Sequence, residues 1–192
     1  MTITKSLFRE RCLKSLRTTP NVSKIYRDSL VEKKITQLLQ GKKNQKILLY
    51  HPLSLEVNTL KLLYKLRKKH EIFLPFMVGQ SFKMVPFRLP LHRKKFNIYE
   101  AGNSHKNIKN IDIAIVPVVG VDSNLQRVGF GKGMYDRFFE KLDKKPIIIF
   151  TQQILCYSKE PLCDHFDITG DIIITPKKSV INKRNYRIKN VK

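Results

Sequence analysis

Apolar residues recur at helical intervals near the start of the chain and in short uninterrupted runs further along, and this change of rhythm predicts the architecture. Residues 4–16 carry Leu7, Cys12, Leu13 and Leu16 at helical spacing, and residues 29–39 repeat the pattern with Leu30, Val31, Ile35, Leu38 and Leu39. A third amphipathic helix over 57–70 presents Leu60, Leu62, Leu63 and Leu66, and a fourth is expected over 132–142. Between them lie apolar runs that read as buried strands, at 47–50, 71–75, 111–116, 147–150 and 171–175. The run 82–87 alternates more, which predicts a strand exposed on one side.

Short apolar strands alternating with helices predict an α/β fold, a three-layer open, largely parallel sheet with helices on both faces. No linker rich in proline, glycine or serine divides the 192 residues. The expectation is a single domain over 1–192, closing in a basic C-terminal tail over 177–192 that has seven cations and no acid. Neither a basic and apolar leader nor an apolar run of about 18 residues is present, so a soluble, cytoplasmic protein without membrane contact is expected. Cys12, Cys156 and Cys163 are odd in number and form no CxxC or Cys/His ligand spacing. They read as three free thiols, with no structural zinc.

The formal charge of +23 would suit nucleic acid, anionic lipid or a polyanionic small molecule. The cations are spread over every segment, thickening only at 93–95 and in the tail. That distribution predicts a solvated basic surface rather than a polymer partner. Nucleic-acid binding stays as an alternative, without an RNA-binding signature or a helix-turn-helix pair to support it.

Candidate chemistry concentrates in Arg127-Val128-Gly129-Phe130-Gly131-Lys132-Gly133-Met134-Tyr135-Asp136, which holds three of only eight glycines. Alternate glycines let backbone N–H groups approach a ligand, and flanking cations meet its negative oxygens, so the run reads as a phosphate cradle. Its GxGxG spacing fits neither the P-loop nor the dinucleotide fingerprint, and a plain turn feeding a helix is the competing reading. The run follows the 111–116 strand, where ligands of open α/β sheets bind, and this context favours phosphate.

Several segments, in order along the chain, resemble the 5-formyltetrahydrofolate cyclo-ligase family, also called methenyltetrahydrofolate synthetase. They are Lys5-Ser6-Leu7-Phe8-Arg9, Ser54-Leu55-Glu56-Val57-Asn58-Thr59, Phe73-Leu74-Pro75, 116–122, the glycine run through Arg137, 150–153, and His165-Phe166-Asp167-Ile168-Thr169-Gly170-Asp171. The resemblance implies an enzyme that takes 5-formyltetrahydrofolate and ATP, with Mg²⁺, to 5,10-methenyltetrahydrofolate, ADP and phosphate. Small-molecule substrates are implied, without an obligatory protein partner. Hydroxide is a poor leaving group, so the formyl oxygen is first phosphorylated. N10 then attacks the activated carbon within the same molecule, with the advantage of a well-oriented intramolecular reaction.

By the same resemblance, Lys5, Arg9 and the whole run Arg127, Val128, Gly129, Phe130, Gly131, Lys132, Gly133, Met134, Tyr135 and Asp136 hold ATP. Arg127 and Lys132 are the implied catalytic cations, facing charge on the transferred phosphoryl group. Asp136 and Asp167 are the implied magnesium carboxylates, with Asp171 as an alternative to Asp167. Glu56, His51 and Tyr135 are the implied folate contacts, a carboxylate suiting the adjacent N–H donors of a pterin edge. A non-folate acceptor on the same nucleotide machinery is a further alternative, and Glu56 is the residue that discriminates it. Met134 departs from the family's common aromatic, Val119 from a small residue, and Asn97-Ile98-Tyr99-Glu100-Ala101 from a Gly-Ile-x-Glu-Pro-like stretch.

Overall fold

The computed structural model describes residues 3–93, 99–104, 108 and 110–182. The helices are α1 (Lys5–Thr18), α2 (Lys24–Leu38), α3 (Leu60–Leu66) and α4 (Met134–Glu140). The strands are β1 (Lys46–Leu48), β2 (Glu71–Val78), β3 (Ser81–Pro86), β4 (His92–Arg93), β5 (Tyr99–Glu100), β6 (Ile113–Pro117), β7 (Gly120–Val121), β8 (Arg127–Val128), β9 (Ile147–Thr151), β10 (Ile172–Ile174) and β11 (Ser179–Ile181).

Seven strands form one sheet in the order β11-β10-β9-β6-β1-β2-β3. The inner five run parallel, and β3 and β11 join antiparallel at the two edges. Successive residues of the inner strands face opposite sides of the sheet. Ile47, Leu49, Ile113 and Ile115 pack with Val31, Ile35, Leu62 and Leu66 of α2 and α3. Their neighbours Leu48, Ala114, Val116, Phe150 and Ile173 pack with Phe138 and Phe139 of α4. The expected three-layer α/β fold is therefore present, with both sheet faces covered.

Chain direction reverses about β1 and β6, since β1 leads through α3 to β2 on one side while β6 leads through α4 to β9 on the other. The crevice beyond the carboxyl ends of β1 and β6 is thus the switch point at which open α/β sheets bind ligands. Glu56 follows β1, and the β7–β8 hairpin that starts the glycine run follows β6.

Several local expectations are revised. Helix α1 begins where expected, its N-cap Thr4 accepting a hydrogen bond from Leu7 N at 3.2 Å. Helix α2 starts earlier, at Lys24; its first turn carries exposed Ile25 and Tyr26 and no buried stripe, so apolar spacing does not reveal it. Helix α3 is shorter than its apolar pattern. Tyr50 Oη donates to Val57 O, Thr59 Oγ1 donates to Tyr50 O, and Asn58 N donates to Asp28 Oδ1, fixing residues 57–59 as a loop. Part of the basic tail is strand β11 on the sheet edge; residues 183–192, like Asn97 and Ile98, lie outside the described residues.

The expectation of three free thiols is corrected. Cys12 and Cys156 form a disulfide with a Cα–Cα separation of 5.8 Å, and Cys163 alone is free. The pair is 144 residues apart in sequence and meets only because α1 packs through Phe8, Cys12 and Leu16 against Val119 and Val128.

Candidate functional site

The glycine run is built around the Arg127 side chain. Arg127 belongs to β8, which pairs antiparallel with β7, and its own N–H donates to Ile168 O at 2.9 Å. Only 6% exposed, its guanidinium folds back over the loop. A Cβ on Gly129 would stand 2.4–2.5 Å from that group, so any side chain there has to displace the guanidinium. Gly131 and Gly133, at φ 95° and 58°, turn the chain in the left-handed region before α4. Arg9 of α1 locks the loop from outside, donating from Nε to Gly129 O at 2.8 Å. Arg137 of α4 does so from below through Lys132 O, while also bonding Gln80 O.

These groups line a cavity of about 470 Å³ together with Lys5, Asp136, Asp167, His165 and Phe166. Two of its cations, Arg127 and Lys5, are paired with carboxylates, while Arg9 and Arg137 are taken up by backbone carbonyls. Arg127 Nη1 lies 3.4 Å from Asp136 Oδ2, whose other oxygen accepts from Ile168 N at 3.3 Å. Lys5 Nζ bridges Asp167, in a short contact, and Asp164 at 3.3 Å. Burial alone would lower the Lys5 ammonium, but Asp167, Cys163 and Asp164 together outweigh it, so the net shift is upward. Asp171 plays another part: it is buried in the sheet and accepts from Ile148 N at 2.7 Å.

Not every residue of the run faces the cavity. Val128 is buried against α1, Phe130 and Lys132 are exposed, and Met134 packs into the sheet-facing core. The Lys132 side chain is outside the cavity lining, although its carbonyl is held by Arg137. Tyr135 packs edge-on to Phe82 with centroids 5.0 Å apart, and the Arg127 guanidinium lies 5.0 Å from its ring centre.

Arg127 also faces the loop after β1. There Glu56 is buried, with Oε2 accepting from Leu53 N at 2.8 Å. Burial pushes its carboxyl up to about 7, against the pull of the Leu53 N–H and of the Arg127 and Lys24 charges. Burial, then the Glu56 carboxylate, holds the Tyr135 phenol well above its ordinary range. Arg127, Tyr135 and Glu56 are therefore one electrostatic neighbourhood, joining the glycine-loop cavity to the β1 loop. His51 stacks beside Tyr99 at 4.8 Å; burial lowers its imidazole pKa, and its Nδ1 is buried without a hydrogen-bond partner among the described residues.

Sequence reasoning missed the groups that hold these pieces still. Lys24 Nζ and Gln153 Nε2 both donate to Glu56 O, at 2.9 and 3.3 Å, and both also bond Asp28. Asp122, fully buried, accepts four backbone N–H bonds. Those of Asn124 and Gln126, both at 2.9 Å, belong to the hairpin; those of Leu162 and Cys163, at 3.0 and 3.2 Å, belong to the loop that leads to Asp167. The available signal was an acid at the end of an apolar strand, which a turn explains equally well.

Comparison with known proteins identifies the family and the fold. The sequence profile of the 5-formyltetrahydrofolate cyclo-ligase family matches residues 1–176. A 5-formyltetrahydrofolate cyclo-ligase of Mycoplasma pneumoniae is 26% identical over 176 residues, spanning 88% of this chain and 97% of the relative. One from Haemophilus influenzae is 25% identical over 151 residues, spanning 71% and 81%. Among solved structures, Aquifex aeolicus 5,10-methenyltetrahydrofolate synthetase superposes with a TM-score of 0.76 at 25% identity, covering 98% of this chain and 97% of the other. The Mycoplasma pneumoniae 5,10-methenyltetrahydrofolate synthetase, at 23% identity, shares the fold with a TM-score of 0.72 over 91% and 99% of the two chains. With a match this long on a switch-point cavity of this composition, the chain belongs to the 5-formyltetrahydrofolate cyclo-ligase family of enzymes.

Proposed function

We propose that the chain closes 5-formyltetrahydrofolate to 5,10-methenyltetrahydrofolate at the expense of ATP, as a cytoplasmic enzyme acting on small molecules. The observation that carries this reading is the buried Arg127 guanidinium, which faces the glycine loop and Asp136 on one side and Tyr135 and Glu56 on the other. Phosphoryl transfer between two bound molecules needs a cation at their junction.

In this reading Lys5, Arg9 and the 127–136 loop hold the triphosphate, and Glu56 accepts the pterin N–H donors with His51 and Tyr135 beside it. The formyl oxygen attacks the γ-phosphorus and ADP leaves. N10 then bonds to the formyl carbon, phosphate departs with the C–O electrons, and N10 releases its proton. Arg127 stabilises charge on the moving phosphoryl group. Lys132, exposed at the loop tip, closes onto the same oxygens once they are present.

Asp136 and Asp167 fit magnesium as hard oxygen donors on one cavity, since the ion takes one or two carboxylates and completes its shell with phosphate and water. Bound there, it would supply positive charge to the phosphate oxygens. The chain's own part is an exchange: phosphates draw Arg127 and Lys5 away from Asp136 and Asp167, leaving those carboxylates open. Mixing the protein with MgATP and 5-formyltetrahydrofolate should produce methenyl absorbance in the near ultraviolet. No ATP-dependent product at micromolar enzyme sinks the proposal, and product from a different acylated amine but not from the folate transfers it to another acceptor.

A further inference from the structure

The nucleotide cavity carries an aromatic shelf that phosphate chemistry does not need. His165 and Phe166 are the aromatic side chains in its lining, otherwise made of glycines, cations and carboxylates. Phe166 is 57% exposed, more than any other phenylalanine among the described residues, so its ring face is open to the cavity side. It is nevertheless held in place: its ring meets His165 edge-on with centroids 5.2 Å apart, and Lys5 Nζ stands 5.7 Å from its centre. Lys5 is fixed in turn by Asp164 and Asp167, and the loop's root hangs from Asp122 through Leu162 and Cys163.

A nucleoside triphosphate is a chain of charges ending in a flat aromatic base. The cavity presents the matching pair, charged groups around Arg127 and an open ring at Phe166, with Lys5 touching both Asp167 and that ring. The geometry points to Phe166, oriented by His165, as the stacking platform for the base of the bound nucleotide. This rests on the nucleotide reading above and adds to it the residues that tell a nucleotide from bare polyphosphate. Stacking is tolerant of which base is offered, so the platform selects for a base being present.

Calorimetric titration with ATP and with inorganic tripolyphosphate, both in excess magnesium, separates the two contributions. Phe166→Ala is expected to weaken ATP by at least about fivefold and to leave tripolyphosphate unchanged; Phe166→Tyr, which keeps the ring, retains the ATP affinity. Phe166→Leu, which keeps apolar bulk and loses the π-face, should resemble Phe166→Ala. Equal losses for both ligands in the alanine variant, or no loss for either, overturn the platform while leaving the phosphate site standing. Failure of the unaltered protein to bind either ligand overturns the nucleotide reading itself.

Discussion

Replacing Glu56 by glutamine should make the protein more stable, and increasingly so as the pH rises. The folded carboxyl titrates at about 7 against an ordinary value of 4.5, burial being the main cause. Because the folded pKa is raised, the stabilisation belongs to the protonated form: it is complete below about pH 4.5 and is lost as pH climbs through about 7. A carboxyl raised this far corresponds to about 3 kcal/mol of destabilisation by the ionised group at alkaline pH. Glutamine still accepts the Leu53 N–H bond and removes the charge. Any constant effect of the new amide cancels when two pH values are compared. For 192 residues, an unfolding entropy near 2.1 cal/mol/K per residue turns about 3 kcal/mol into a melting shift of about 7 °C. Urea unfolding of both proteins near pH 5 and near pH 8 tests this. A stability difference that does not grow with pH refutes the buried-carboxylate argument, whichever protein is the more stable. The substrate side follows from the same numbers: a pterin that donates N–H bonds to the ionised form binds with proton release, so its affinity should fall as pH drops below about 7.

Three other outcomes follow from the geometry. Gly129→Ala puts a methyl group on the Arg127 guanidinium and should lower turnover by about 100-fold, a displacement effect; unaltered kcat would show that Arg127 can move without consequence. Asp136→Asn releases Arg127, so calorimetry in chelator should find metal-free ATP bound several-fold more tightly, with added magnesium giving less further gain than in the unaltered protein. No change in metal-free affinity removes the exchange between carboxylate and phosphate. Thiol titration of the chain unfolded without reductant should count one group, Cys163, and reduction should cost about 3 kcal/mol of stability; three thiols before reduction contradicts the Cys12–Cys156 bond.

What could be read from the sequence was what is local in it. The inner strands announce themselves as apolar runs because both sheet faces are covered, and the glycine loop is a contiguous stretch whose composition already carries its chemistry. The β7–β8 hairpin escaped because two-residue strands have no period to detect. The start of the pattern over 57–70 misled because the same leucines serve a short helix, while the hydrogen bonds that Tyr50 and Thr59 donate and the one that Asp28 accepts decide where it begins. Pairings such as Lys5 with Asp167, or Cys12 with Cys156, depend on α1 lying over the β7–β8 hairpin, which no window along the chain contains. Cations are spread along the whole sequence, yet the cavity is not simply basic: Arg127 and Lys5 each face an acid there.

The single carboxylate of Asp122 has a mechanical consequence. It suspends the hairpin bearing Arg127 and the loop bearing Asp167 from two oxygens of one side chain, so neither arm can swing out alone without breaking charge-assisted bonds at their shared pivot. The two arms should therefore breathe as one leaf. Amide exchange at Asn124, Gln126, Leu162 and Cys163 should proceed at a common opening rate, and the cavity should open by hinging away from β1 and its Glu56 loop rather than by fraying.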